Sequence, residues 1–182
     1  MASTYLKMAP PEASEYAPYY AKYTALVPAG DVVRTLEAQA KETIAILSGL
    51  TEEQGNHRYE QDKWTIKEML GHVNDTERIF AYRALRIARN DKTNIEGFEQ
   101  DDYVRNANFA SLRLADLVAE FESIRNATLT LLRSLDEDAW GRRGTANKNE
   151  VSVRALAYII AGHELHHRKI LKDKYLTAAA AR

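Results

Sequence analysis

The chain has 182 residues, enough for one domain with a substantial hydrophobic core. Hydrophobic residues make up 45% and charged residues 28%, a composition typical of globular proteins and unlike that of disordered ones. The 25 Lys and Arg residues nearly balance the 26 Asp and Glu residues, which excludes the basic surface that a nucleic-acid partner requires. Because the sequence has no Cys, disulfides, thiolate metal sites and a cysteine nucleophile are also excluded.

The sequence contains no candidate membrane anchor. Its longest apolar run, residues 155–162, is far shorter than the ~20 residues that span a bilayer. The first residues lack the apolar stretch of a secretory signal. We therefore expect no membrane partner and a cytoplasmic protein, and the lack of Cys suits such a reducing compartment.

Residues 1–30 differ in composition from the rest of the chain. They hold all four Pro residues and half of the ten Tyr residues. We expect an irregular arm that packs its aromatic rings on the domain, because Pro interrupts helices and buried Tyr contributes large apolar area. The predicted domain then spans residues 31–176, and residues 177–182 form a tail.

Four amphipathic segments with a period of 3.6 residues predict four long helices. Their predicted bounds are Asp31 to Gly49, Thr65 to about Asn90, about Ser111 to Leu135, and Ser152 to just before Thr177. Asp31, Thr65 and Ser152 are N-cap residues, and Thr65 forms a capping box with Glu68. No segment alternates with the period of a strand. The prediction is an all-α four-helix bundle.

The connection between the second and third helices, residues 91–110, is long for a bundle. Such a length permits a crossover rather than simple up-down-up-down order. Residues 94–103 within it either form a lid over a pocket or a plain connection. The segments 47–67 and 132–154 also resemble each other weakly, which suggests two helical hairpins or a chance likeness between amphipathic helices.

Three of the five histidines form a candidate metal site. His163 and His167 lie four residues apart on the apolar face of the fourth helix, and His72 flanks the apolar stripe of the second. Hydrogen-bonded core histidines are the alternative interpretation. His166 is turned about 60° from His163, which favours a supporting or surface role, and His57 is expected in solvent.

Residues 163–167 also match the zinc-protease pattern H-E-x-x-H. Such enzymes need a third ligand downstream. Residues 168–182 contain no His or Glu and a single Asp, Asp173, which argues against a protease of this class. Glu164 nevertheless stays a candidate general base for water activation.

The segments Trp64–Arg78 and Gly162–Leu171 resemble the DinB-like (DNA-damage-inducible) metal-binding superfamily. The likeness extends to residues 15–20, 27–28 and 98–103 and therefore spans nearly the whole chain. It implies a four-helix bundle of up-down-down-up order, in which His72, His163 and His167 hold a divalent ion. Nickel and zinc are the leading expectations, with iron or manganese as alternatives. The resemblance also allows a homodimer.

Three functions follow from such a site. The first is a metal-dependent hydrolase acting on a small-molecule substrate, with Glu164 or Asp75 as base. The second, implied by the family, is a thiol-dependent S-transferase that uses an external low-molecular-weight thiol. The third is a non-enzymatic metal- or ligand-binding module of a stress response. Asp75 could also orient an imidazole, and Glu77 is expected to pair with Arg78 or to lie in solvent.

Overall fold

The computed structural model describes residues 5–177. The α-helices are α1 (Tyr5–Met8), α2 (Ala21–Thr24), α3 (Val32–Ser48), α4 (Glu52–Gly55), α5 (Ile66–Ala88), α6 (Gln100–Ala107), α7 (Leu114–Arg133), α8 (Glu137–Gly141) and α9 (Val153–Ile170). The strands are β1 (Arg143–Ala146) and β2 (Asn149–Ser152), and a π-helix (Leu171–Leu176) follows α9. The bundle helices are α3, α5, α7 and α9, which confirms the predicted fold class. Most of the predicted tail lies outside the described residues.

The N-terminal caps are the predicted ones. The Asp31 carboxylate accepts hydrogen bonds from the backbone at the start of α3, and Ser152 does the same at the start of α9. Thr65 and Glu68 form the capping box of α5. Helix α7 begins at Leu114, three residues later than predicted, because a 3₁₀ turn over residues 109–111 precedes it.

Each bundle helix packs mainly against two others: α3 and α5 both contact α7 and α9. Side-chain contacts give the directions. Gln39 meets Ala161 and Thr43 meets Glu164, so α3 and α9 run the same way. Contacts of α5 residues 74 and 77 with α7 residues 117 and 125 also ascend together, so α5 and α7 are parallel to each other. These pairings are consistent with up-down-down-up order.

The apolar core consists of two clusters stacked along the bundle. One contains Trp140 and Leu156, and the other contains Leu70 and Phe121. Between them lies a layer of buried polar side chains contributed by all four bundle helices. This layer consists of Gln39, Thr43, His72, Asn74, Thr76, Glu77, Arg125, Thr128, His163 and Glu164.

The link between α5 and α7 contains α6, which the sequence analysis did not predict. Ile95, early in this link, bridges to Ala146 of β1. Strands β1 and β2 form an antiparallel hairpin whose turn residues Asn147 and Lys148 have φ of 48° and 62°. Such a turn suits the twist of paired strands. The hairpin was not predicted because four-residue strands are too short for an alternating pattern to be recognised.

The N-terminal arm is fastened to α9 at two points. The Glu15 carboxylate is buried and accepts hydrogen bonds from Ser152 Oγ, at 2.6 Å, and from Arg154. Further along, α2 packs on α9 so closely that a Cβ added to Gly162 would lie 2.0 Å from the Tyr23 carbonyl oxygen. Glycine at position 162 is therefore required for the arm to dock.

Within residues 5–177, no helix is both long and apolar enough to cross a bilayer.

Substituting Gly162→Ala should displace the arm, because the added methyl group overlaps the backbone of α2. We expect a loss of about 1–3 kcal/mol in the free energy of unfolding and faster tryptic cleavage after the exposed Lys22. Gly49→Ala is the matched control, since a Cβ there has its nearest neighbour at 3.5 Å. Equal protease sensitivity of the two variants would contradict this account of docking.

Candidate metal centre

The largest charged contact of the polar layer centres on Arg125, which is 1% exposed. Its guanidinium donates from Nε and Nη2 to the two carboxylate oxygens of Glu77, at 2.9 and 2.7 Å, and from Nη1 to the Leu36 carbonyl at 2.9 Å. Nη2 also lies 2.7 Å from Glu164 Oε2. The Thr43 hydroxyl donates to the other Glu164 oxygen at 2.6 Å. One side chain thereby connects all four bundle helices.

Burial by itself lowers the pKa of Arg125, but the charges of Glu77 and Glu164 outweigh that effect and raise its pKa above the ordinary value. The guanidinium therefore stays charged. Glu77 was expected beside Arg78 or in solvent, and this expectation is wrong. It is 3% exposed and belongs to the interior pair with Arg125, whose position across the bundle cannot be read from one helix.

Three imidazoles meet beside this layer. The Nε2 atom of His163 lies 3.0 Å from Nε2 of His72 and 3.1 Å from Nε2 of His167. Within residues 5–177, these three form a group of ligand atoms that all lie within 4.8 Å of one another. His72 comes from α5, and the other two come from successive turns of α9. The structure therefore brings together the three histidines that the sequence analysis selected.

The arrangement fits a divalent ion better than it fits hydrogen bonding. One Nε2 position carries either one proton or one lone pair, so His163 cannot make two well-aligned hydrogen bonds through it. A tetrahedral ion with 2.0–2.1 Å bonds to nitrogen places its ligand nitrogens about 3.3 Å apart. The observed separations are close to that value. Residues His72, His163 and His167 therefore have the donor type and spacing that a bound ion requires.

Burial lowers the pKa of His72 to about 4, with a smaller contribution from the charge of His166. It also lowers the pKa values of His163 and His167 well below the ordinary value, and neighbouring histidine charges lower them further. At neutral pH all three rings are neutral, which is the form that coordinates a cation.

Aromatic rings surround the imidazoles. The Trp64 ring centre is 4.7 Å from that of His72, and the Tyr23 ring centre is 5.3 Å from that of His163. The Thr76 hydroxyl lies 3.5 Å from the Nδ1 atom of His72, where it can help to orient the ring. These walls reduce the access of bulk water to the three nitrogens.

Glycine precedes both His72 and His163, and in each case another segment packs against it. A Cβ at Gly71 would lie 2.4 Å from the Phe109 ring, and Gly162 accommodates α2 in the same way. The link and the arm therefore approach the bundle directly beside the two buried ligands.

Two cavities reach the histidines. The larger, about 400 Å³, is bordered by His72 and His163, and the smaller, about 280 Å³, by His167. Asp101 borders both cavities. The larger cavity is lined by Ala17, Tyr19, Tyr20, Tyr23, His72, Thr76, Phe80, Phe98, Glu99, Gln100, Asp101, Ala146, Asn147, Asn149 and His163. The segment considered as a lid thus contributes residues 98–101 to this wall.

The two predicted base candidates have other contacts. Glu164 lies against Arg125 and Thr43. Asp75 lies 3.6 Å from Arg78 and near Glu120, and burial raises its pKa although Arg78 opposes the rise. Neither carboxylate belongs to the group of three histidines.

The two remaining histidines lie outside the group. His166 packs edge-on against Tyr23 and His167, at 5.3 and 5.1 Å between ring centres. His57 is half-buried against Tyr175, whereas solvent exposure was predicted.

The sequence analysis did not identify the hairpin residues of the cavity wall, because they reach the cavity only through the pairing of β1 with β2. The positions of Tyr20 and Tyr23 could be anticipated only as general packing of the arm.

A profile of the DinB superfamily matches residues 35–171, three quarters of the chain. The chain belongs to the DinB superfamily. A Geobacillus thermodenitrificans (strain NG80-2) protein named "Putative metal-dependent hydrolase" is 26% identical over 125 residues, covering 68% of this chain and 70% of that protein. The predicted family membership is thereby confirmed.

Two solved structures share the fold. YfiT from Bacillus subtilis, described as "a probable metal-dependent hydrolase with an unusual four-helix bundle topology", superposes with a TM-score of 0.70 at 14% identity, over 96% of this chain and 98% of its own. A mycothiol-dependent maleylpyruvate isomerase superposes with a TM-score of 0.65 at 13% identity, over 80% of this chain and 61% of its own. The chain thus corresponds to less than two thirds of the isomerase.

Replacing Arg125 should be costly because two buried carboxylates would lose their counter-charge. We expect Arg125→Met to lower the free energy of unfolding by about 3–5 kcal/mol in urea titrations. Arg133→Met is the control, since its pair with Glu37 is about half exposed on both sides and should contribute at most about 1 kcal/mol. Similar losses of unfolding free energy in both variants would contradict a larger contribution from the buried contact.

Each of His72→Ala, His163→Ala and His167→Ala should weaken metal binding by about 100-fold or more, since changes to mere supporting residues already cost 10–100-fold. The measurements are elemental analysis of the purified chain and competition with a chromophoric chelator. His57→Ala should retain full metal content. Full occupancy in a His163→Ala/His167→Ala double variant would refute ligation by these rings.

Proposed function

We propose that the protein is a metal-dependent hydrolase of small-molecule substrates whose ion is held by His72, His163 and His167. The observation that carries this proposal is the convergence of three histidines, two of them buried and His167 half-buried, at the border of two cavities. Three protein ligands leave a coordination position open, as in catalytic zinc sites. When bound, a divalent ion supplies Lewis-acid chemistry that polarises a carbonyl group and lowers the pKa of water.

The identity of the ion is part of the proposal. Imidazole donors suit nickel and zinc, and iron to a similar extent, whereas a site of carboxylates would suit magnesium or calcium. The hydrolase names of the Geobacillus relative and of YfiT support a metal-dependent reaction of the same broad class.

The protein's own residues would position the substrate and exclude water. Phe80 and Phe98 provide apolar surface along the larger cavity, while Tyr23 and Trp64 cover the imidazole rings. Asn147 and Asn149 add hydrogen-bonding groups at the hairpin side. This cavity combines aromatic walls with several polar side chains, and a concave pocket with convergent polar groups is typical of sites for small organic molecules.

Catalytic roles for Glu164 and Asp75 stay predictions. The contacts of Glu164 with Arg125 and Thr43 hold its carboxylate in the bundle interior, which favours positioning of the adjacent His163 over proton transfer. Asp75 is tied to Arg78 on the α7 side of α5. Among the carboxylates that border the cavities, the exposed Asp101 is a further candidate for accepting a proton.

A thiol-dependent S-transferase is the second candidate, and the two cavities favour it. Two cavities that meet at one group of histidines could accommodate two different small molecules at once. The mycothiol-dependent isomerase shares this fold. Because the chain has no Cys, the thiol would have to be external.

Cobalt substitution separates the candidates. An external thiol that joins the cobalt form should produce an intense sulfur-to-metal charge-transfer band that saturates with thiol concentration. A hydrolase should instead turn over activated esters or amides, and His163→Ala should abolish that turnover. Glutathione and cysteine are the thiols to test first. Metal binding with neither band nor turnover would leave the non-enzymatic binding module as the remaining function.

A further inference from the structure

Arg83 is a buried guanidinium that lacks a carboxylate partner among residues 5–177. It is 2% exposed, yet its hydrogen bond at 2.9 Å goes from Nη2 to the carbonyl oxygen of Glu96. The Tyr20 phenol also interacts with it. Its Nε atom has no hydrogen-bond partner. The other deeply buried arginine, Arg125, instead has two carboxylates around it.

A buried cation of this kind is costly unless an anion compensates it. One carboxylate, that of Glu150, borders the same recess. However, Glu150 is exposed and pairs with Arg143 at 2.6 Å. The described chain therefore supplies hydrogen-bond acceptors for Arg83 but no negative charge.

The position of Arg83 relates it to the histidines. His72, Thr76, Phe80 and Arg83 follow one another at intervals of four, four and three residues, so they share one face of α5. The eleven residues from His72 to Arg83 correspond to about 16 Å along the helix. The recess at Arg83 and the larger cavity share Tyr20, Phe80 and Ala146 as lining residues.

Two aromatic rings separate the guanidinium from the cavity. Its central carbon lies 5.2 Å from the ring centre of Phe80 and 6.0 Å from that of Phe98. Phe98 belongs to the irregular part of the link and is only half-buried, whereas Phe80 is fixed within α5. The recess itself, about 10 Å³, is too small for a carboxylate, so a ligand in the larger cavity would reach the guanidinium only after the Phe98 side chain moved aside.

We propose that Arg83 binds the carboxylate of an elongated, largely apolar substrate whose reacting group lies at the three histidines. This inference rests on the proposed function and adds the substrate class: organic acids with an apolar segment between the anionic end and the reacting group. The carboxylate accepts hydrogen bonds from Nε and one terminal nitrogen of the guanidinium, the bidentate arrangement that Arg provides and Lys does not.

The test compares binding of 4-phenylbutyrate and of the uncharged 4-phenylbutan-1-ol by isothermal titration calorimetry. It uses the full-length chain both as purified and after chelation, because a carboxylate can also bind a metal ion directly. We expect the acid to bind at least about tenfold more tightly than the alcohol in both forms. Equal binding of acid and alcohol to the chelated wild-type chain would overturn the proposal without recourse to any variant.

Variants assign the effect to Arg83. Arg83→Gln should reduce affinity for the acid by about tenfold or more and leave that for the alcohol unchanged, while Arg83→Lys should give an intermediate value. Arg86→Gln, on the same helix but paired with Asp91, should bind the acid like the wild type. Unchanged affinity for the acid in a folded Arg83→Gln chain would mean that the guanidinium only stacks between aromatic rings.

The binding test for Arg83 can be evaluated separately from the metal centre. Metal content of Arg83→Gln should equal that of the wild type, since Arg83 lies about three helical turns from His72. Absence of the acid's advantage in a wild-type chain that binds metal would refute this inference alone. Acid selectivity in a wild-type chain that proves unable to bind any divalent metal would refute the proposed function and leave the carboxylate subsite standing.

Discussion

The structure depends on a charged contact inside the bundle, where Arg125 joins Glu77 and Glu164 between two apolar clusters. Removing three charges from water is costly, and the cost is offset only when their geometry is nearly ideal. Unlike apolar packing, this contact has direction. It therefore limits how far α3, α5, α7 and α9 can slide along or rotate against one another.

The same restriction on helix movement applies to the candidate metal centre. Glu164 is adjacent to His163, and Glu77 lies little more than one turn beyond His72, so the contact that sets the helix register also sets the separation of the ligand nitrogens. Precision of this order is needed for a metal site, where ligand positions must be held within about 0.5 Å. We interpret the polar layer as one unit, in which the contact of Arg125 with Glu77 and Glu164 holds the helices at the positions from which the imidazoles converge.

The sequence predicted the features that depend on residues close together along the chain. Capping side chains identify helix starts, and the spacing of His163 and His167 follows from the helical period alone. The pairing of Glu77 with Arg125 could not be predicted, because it depends on which helices become neighbours and in which direction. For the same reason the burial of Arg83 was missed. Its recess is assembled from the arm, α5 and the hairpin, segments far apart along the chain.

The cavity wall is built largely from segments outside the four bundle helices: the arm, the link and the hairpin. The family profile matches residues 35–171, so the arm's share of the wall lies outside the matched region, whereas the link and the hairpin lie within it. Substitutions at exposed positions usually change stability by no more than about 0.5 kcal/mol, whereas changes in the buried layer are costly. Such a division allows the wall of the cavity to vary in sequence while the buried polar layer keeps its geometry.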